Sequence, residues 1–357
     1  MWSYSFDKYA CNPRAFTEYL LKAHPGEYEI FWGFKKGYKP QDIDSRIHIV
    51  NQYSFAYLKA IYTSKYIFSN KRNYKLLTMF NKKHGQKYIM MWHGSFALKK
   101  IEKDAEVQLG KAYVKRAQED SRMCDLMLSN SKMYTSQIKN SFWYNGEILE
   151  NCVPRNCIFY EKDKIMAAYT EVRKRMGFAP DCKIVLYAPT FRGGSKDLKY
   201  YRIDWNNVIP ALEKMLGGEV KVLLRLHPNM SNFKDLSYIT NFKNVHNVTQ
   251  APDITEFLFA ADAMISDYTS AMFDFMMLGK PCLVYAIDIE EYDRGFYVKM
   301  TDLPFPIATS TGELISNISE FDHNTYKHNA QKFIDDVWGL EEDGKAGDRL
   351  YDWMKRN

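Results

Sequence analysis

The chain has 357 residues, 46% hydrophobic and 26% charged, with a net charge of +6, a length that exceeds one ordinary core and calls for two domains. No apolar run reaches the roughly 18–20 residues of a bilayer crossing, and the start, Met1-Trp2-Ser3-Tyr4, has no basic segment leading into an apolar core, so neither a spanning protein nor a signal peptide is expected. Six scattered cysteines without a CxxC pair exclude a zinc ribbon or a disulfide framework and fit a reducing cytosol.

In chain order, helical spacing covers Pro13 to Ala23, and Tyr28 to Trp32 reads as a strand. Strands follow at Ile47–Val50, Tyr66–Ser69 and Tyr88–Trp92, with helices at Ser54–Tyr62 and Tyr74–Asn81 between them. This alternation implies a parallel sheet with helices on both faces. The same region is strongly basic. Residues 1–150 hold 24 Lys/Arg against 14 Asp/Glu, and between Asp44 and Glu102 eleven basic residues stand without one carboxylate. Such a field attracts polyanions, anionic lipid headgroups included, unless it is merely a solvated face. A charge-alternating helix is expected over Lys99–Asp120, then a strand at Leu126–Ser129, a helix opened by Asn130-Ser131, and a short strand after Asn145-Gly146.

A second alternation begins at Lys183. Strands are expected at Ile184–Ala188, Val220–Arg225, Asn244–Val248, Ala263–Ser266 and Pro281–Tyr285, with helices at Val208–Leu216 and Ile254–Ala260. Thr269 and Ser270 stand where N-cap hydroxyls belong, ahead of a helix running through Asp274 to Met276. The chain is helical from Asp322 to about Trp338, breaks over Gly339–Gly347, and ends in a helix from Asp348 to Arg356. Two successive doubly wound α/β domains, joined near residues 150–180, account for the pattern.

Polar loops follow four of these strands. His93, between Trp92 and Gly94, suits a general base at a strand's C-terminal edge, or is an ordinary surface histidine. Arg225 and His227 share one side of an extended segment, an arrangement fit for a diphosphate or for a structural ion pair. Thr190 and Arg192 offer a hydroxyl and a cation, and Gly193-Gly194 either admits a ligand to the backbone or makes a turn. Thr269 and Ser270 place a helix start beside a strand end, which suits a phosphate, and Asp274 lies one turn on. There is no HExxH, strand-bracketed DxD or GxxxxGK[ST], so a metal-independent mechanism is expected, with no cofactor.

The set Trp92-His93-Gly94, Pro189-Thr190-Phe191-Arg192, Arg225-Leu226-His227-Pro228 and Ser266-Asp267-Tyr268-Thr269-Ser270, in this order, resembles the CDP-glycerol glycerophosphotransferase family of teichoic acid primases and polymerases. Lys280-Pro281 and Asp343-Gly344-Lys345-Ala346 fit as well. The resemblance implies a GT-B fold, two Rossmann-like doubly wound domains with a cleft between them. Residues 1–150 would form the acceptor and membrane-side domain and 151–338 the CDP-donor domain, with 339–357 as a helix crossing back. It implies His93 and His227 as catalytic residues, with Trp92, Gly94, Ser95 and Phe96 toward the acceptor. Arg155, Pro189, Thr190, Arg192, Arg225, Leu226, Thr269, Ser270 and Asp274 would hold the donor. Two departures stand out: Leu226, where the family often has another residue, and Ser95-Phe96, where Thr-Pro is commoner.

The implied reaction moves glycerol phosphate, or a related polyol phosphate, from a CDP-linked donor to a hydroxyl of an undecaprenyl-diphosphate-linked acceptor at the cytoplasmic membrane face. A GT-B glycosyltransferase using a nucleotide sugar is the nearest rival. A nucleic-acid-binding protein is a different class, against which no recognition motif or aromatic RNP pattern appears.

Overall fold

The computed structural model describes the chain except for residues 1, 5–7, 39, 41–42, 73–81, 193–197, 228–229, 231–236, 252 and 293–294. The expected helix at Tyr74–Asn81, Gly193-Gly194 and Pro228 therefore lie outside the described residues. Two compact units divide the chain: residues 1–160 with 338–357, and residues 161–337. Sequence reasoning set these divisions at 150/151 and 338/339.

The first unit is built on strands β1 (Trp2–Tyr4), β2 (Ile30–Phe34), β3 (Ile47–Asn51), β4 (Tyr66–Ser69), β5 (Lys87–Met90), β6 (Leu126–Leu128) and β7 (Glu147–Leu149). They form one sheet in the order β3-β2-β1-β4-β5-β6-β7, and every pairing is parallel. Neighbouring residues of a strand serve opposite faces, as the pleat requires. Phe68, Ile89 and Leu126 join Phe16, Trp32 and Trp353 in one core, while Ile67, Met90 and Met127 join Tyr57, Ile61 and Tyr134 in another. The helix 346–356 contributes Leu350, Trp353 and Met354 to the first of these cores. It approaches the helix 11–23 closely at Gly347, where a Cβ would meet the Tyr19 ring at 2.5 Å.

The second unit carries β8 (Lys183–Tyr187), β9 (Val220–Leu224), β10 (Val245–Asn247), β11 (Ala263–Ser266), β12 (Cys282–Tyr285) and β13 (Ile307–Ala308). Their order is β10-β9-β8-β11-β12-β13, again all parallel. Counted from β8 this is 3-2-1-4-5-6, the doubly wound order in which ligands bind at the strands' C-terminal ends where the order reverses. The reversal falls between β8 and β11, the strands followed by Thr190 and by Thr269-Ser270. One face of the sheet packs Val185, Val222, Leu224, Ile265 and Leu283 against Trp205, Val208 and Leu212 of the helix 205–216.

Three local expectations change. The helix expected over Lys99–Asp120 starts later and is broken into a 3-10 turn, 102–108, and an α-helix, 111–123: Glu102, drawn inward to Arg72, takes a positive φ of 52°, and Leu109 and Gly110 between the two segments are extended. The basic run is also less uniform than its composition. Arg72 is buried in ion pairs with Glu102 and Asp120, Lys82 pairs with Asp125 and Arg46 with Asp44, while Lys59, Lys65, Lys83 and Lys100 are exposed. Finally, the strand expected to reach Trp92 ends at Met90.

Candidate active site

In the first unit the loop after β5 turns sharply at Trp92, whose φ of 49° is in the left-handed region that non-glycine residues seldom adopt. The Trp92 ring stacks on His93 at 4.5 Å between centroids and meets Phe142 edge-on at 4.9 Å. Below it, the Arg72 guanidinium lies 5.9 Å from the indole and is fixed by Glu102, Asp120 and Ser121. His93 is exposed, and its Nδ1 lies 2.8 Å from the carbonyl oxygen of Asn70, just past the end of β4. A carbonyl only accepts, so Nδ1 carries the proton and Nε2 is the basic nitrogen of the neutral ring. That is the tautomer a general base needs.

Ser95 and Phe96, expected toward the acceptor, are placed differently. Both are buried at 1% exposure; Phe96 meets the Trp338 ring edge-on and the Ser95 carbonyl accepts from the Trp338 indole N–H. They lock the loop from beneath because an aromatic side chain finds its partner in the interior. Gly94 is half-buried. Arg155, expected in the donor domain, belongs to the first unit, and its backbone N–H donates to the Asn12 side chain at 3.0 Å.

In the second unit two arginines have opposite surroundings. Arg192 is buried between carboxylates: Nη1 is 2.6 Å from Asp267, and Nε and Nη2 are 2.7 and 2.8 Å from the two oxygens of Asp288. Its remaining Nη1 bond goes to the Thr190 carbonyl. Burial raises the Asp288 carboxyl, but the hydrogen bonds and charge of Arg192 outweigh it and hold it below the usual carboxylate range. Arg192, expected to offer its charge to a ligand, is paired here with both carboxylates. Asp267 also accepts from the Thr190 and Tyr268 backbone N–H groups, so it ties the loop after β8 to the end of β11.

Arg225 has no carboxylate within ion-pair distance among the described residues. Its Nη1 donates to the carbonyls of Val248 and Ala251, each at 3.0 Å. Burial lowers its pKa, with only the more distant Asp253 and Glu256 opposing. A largely buried cation without a contact anion is costly, and an anionic ligand relieves that cost. His227, exposed, stacks on Phe191 at 5.4 Å, which joins the loops after β8 and β9. The Thr190 hydroxyl oxygen is buried and has no hydrogen-bond partner among the described residues.

Leu226, expected at the donor, points into the core at 1% exposure, and its N–H donates to the Thr249 hydroxyl. Pro189 is buried beside Thr190. Ser270 precedes the six-residue helix 271–276 in helical conformation and makes no side-chain cap bond, so the expected N-cap is not formed there. Thr269 supplies it weakly, accepting from the Ala271 N–H at 3.3 Å. Asp274 is on that helix at 3% exposure. Sequence reasoning missed Asn12, Asp267 and Asp288 as organising residues; only Asp267, within the Ser-Asp-Tyr-Thr-Ser run, carried a sequence signal.

The sequence model of the CDP-Glycerol:Poly(glycerophosphate) glycerophosphotransferase family matches residues 1–355. The chain belongs to this family. It is 30% identical over 372 residues to the teichoic acid poly(glycerol phosphate) polymerase of Staphylococcus epidermidis, covering 99% of this chain and 50% of that protein. The teichoic acid glycerol-phosphate transferase of Staphylococcus aureus is 29% identical over 362 residues, 98% of this chain and 90% of that one. Among solved structures, the wall teichoic acid polymerase TagF, as a histidine-to-asparagine variant soaked with CDPG, superposes with a TM-score of 0.86 at 30% identity, covering 99% of this chain and 88% of that one. The chain thus spans about half the length of the Staphylococcus epidermidis polymerase. The mixed α/β, GT-B-like architecture expected for a glycerophosphotransferase of this family is the one present.

Proposed function

We propose that this chain transfers glycerol phosphate from CDP-glycerol to a hydroxyl of a lipid-linked acceptor and releases CMP, as a step of teichoic acid synthesis. The observation that carries the donor half is Arg225, a largely buried cation whose contacts are carbonyls rather than carboxylates. Together with His227, the Thr190 hydroxyl and the Ser270 hydroxyl, it supplies donors for a diphosphate at the doubly wound reversal point. Membership in the glycerophosphotransferase family points to CDP-glycerol as the diphosphate.

The base half rests on His93. Its Nε2 takes the proton of the acceptor hydroxyl, the oxygen attacks the β-phosphorus, and the bond between that phosphorus and the bridging oxygen breaks. The electron pair leaves with CMP, whose charge Arg225 and His227 stabilise. Positioning and fixed positive charge are the main contributions protein groups make to phosphoryl transfer. Among the described residues no His, Cys, Asp and Glu group is arranged to hold a metal ion.

For the acceptor side, the helix 55–63 presents Phe55, Lys59 and Tyr62 at i, i+4 and i+7, and Phe55 is 84% exposed. Tyr57, Ala60 and Ile61 turn the other way into the core. An aromatic and cationic face of this kind suits an anionic lipid surface and a lipid-linked substrate. No helix among the described residues is long and apolar enough to cross a membrane.

The test is CMP release from CDP-glycerol with a lipid-linked glycerol-phosphate acceptor, run beside CDP-ribitol and UDP-sugar donors. Arg225→Met should raise the Kd for CDP-glycerol by about 10–100-fold, the loss of one to two charge-assisted hydrogen bonds. His93→Ala should lower turnover by about 10²–10⁴-fold while donor binding stays. Wild-type CMP release by His93→Ala, or turnover only with UDP-sugars, defeats the proposal.

A further inference from the structure

Asn12 opens the helix 11–23 and is fully buried, at 0% exposure. Its side-chain amide Nδ2 donates to two consecutive carbonyls, Met91 and Trp92, each at 3.1 Å, and its Oδ1 accepts the Arg155 backbone N–H at 3.0 Å. Consecutive carbonyls of an extended strand point to opposite sides. Both can face one amide only if the residue between them leaves the extended region, and Trp92, at a φ of 49°, does so. This left-handed turn at a bulky residue is strained, and strain of this kind persists only where surrounding contacts over-determine it. Asn12 supplies those contacts from a helix nearly eighty residues away in sequence.

The consequence reaches His93. The turn at Trp92 ends β5, stacks the indole on the imidazole, and leaves His93 Nδ1 within 2.8 Å of the Asn70 carbonyl. Among the described residues the ring is fixed both through Asn70 and through the turn that Asn12 holds. We infer that Asn12 is a positioning residue for the His93 base, coupling the loop that carries it to the segment that carries Arg155. This rests on the transferase reading above.

The test is a double-mutant cycle on CMP release with the full chain, using Asn12→Ala, Asn12→Asp and His93→Ala. Asn12→Asp keeps an acceptor for the Arg155 N–H but has no donor for the two carbonyls. Both Asn12 variants should lower kcat by about 10–100-fold, as a misplaced catalytic group does, and shift the acid limb of the pH–kcat profile. In the His93→Ala background neither should lower residual turnover by more than about two-fold.

Equal losses with and without His93, an unshifted pH profile, or wild-type kcat in both single variants would overturn the inference. So would loss of the cooperative thermal transition in both, because a positioning residue leaves the fold intact. Wild-type turnover by His93→Ala alone would instead remove the base assignment, which separates the two failures.

Discussion

Replacing Arg192 with methionine tests whether that arginine is part of the framework or of the ligand site. Its side chain is 7% exposed, and its partners Asp267 and Asp288 are 2% and 7% exposed. Methionine fills much of the volume but leaves two buried carboxylates without a cation. Breaking a buried pair by removing one partner costs about 3–5 kcal/mol. For a unit of this size each kcal/mol moves the melting point by roughly 2–4 °C, so a fall of about 6–20 °C is expected in calorimetry at pH 7.

The sign of the pH dependence sharpens the test. In the wild type the Asp288 pKa is lowered on folding, so its contribution is present above the unfolded value near pH 3.9 and is lost as pH falls through the folded value. In Arg192→Met burial acts on the Asp288 carboxyl without the guanidinium to oppose it, so the variant should gain stability as pH falls below 7 while the wild type does not. The triple variant with Asp267→Asn and Asp288→Asn should recover most of the loss. A melting point within about 3 °C of wild type, or parallel pH trends in the two proteins, would refute the pairing argument.

Ser270→Ala removes a hydroxyl that makes no cap bond, so it should weaken CDP-glycerol binding in calorimetric titration while the melting point stays within about 1 °C. Ser131→Ala removes the acceptor for the Tyr134 N–H and should cost about 1 kcal/mol, read from urea unfolding. Leu212→Ala empties a fully buried position of the second unit and should cost about 2–5 kcal/mol by the same assay. Paired Phe55→Ser and Tyr62→Ser changes should reduce co-sedimentation with anionic liposomes, leaving turnover on a soluble short-chain acceptor unchanged.

The central strands were legible because buried parallel strands are short apolar runs, and β4 and β11 lie where those runs stand. The helix 162–176 was not. Its apolar positions are sparse, and one of its buried residues is Arg173, which reaches the carbonyls of Cys182 and Ala260 and the Asp262 carboxylate. A buried arginine does not register in a hydrophobic pattern. β1 and β13 were missed because three and two residues carry no period. At the site, the loops were found by their place after strands, whereas the roles of their residues depend on pairings across long stretches of chain. Arg192 and Arg225 look alike in sequence, and only the positions of Asp267 and Asp288 make one a strut and the other an uncompensated charge. Phe96 and Leu226 show the reverse case, side chains in motif loops that face inward.

The helix 346–356 gives the chain a definite order of assembly during synthesis. Residues 161–337 are contiguous, so the second unit has its whole core once it has left the ribosome. The first unit has most of its sheet by residue 160 but lacks Leu350, Trp353 and Met354 until residues 350–354 are made. At about 5–20 residues per second that interval is roughly 10–40 s. Through it, Phe16 and Trp32 wait beside an incomplete core, so the first unit's core closes only after the second unit's sequence is complete.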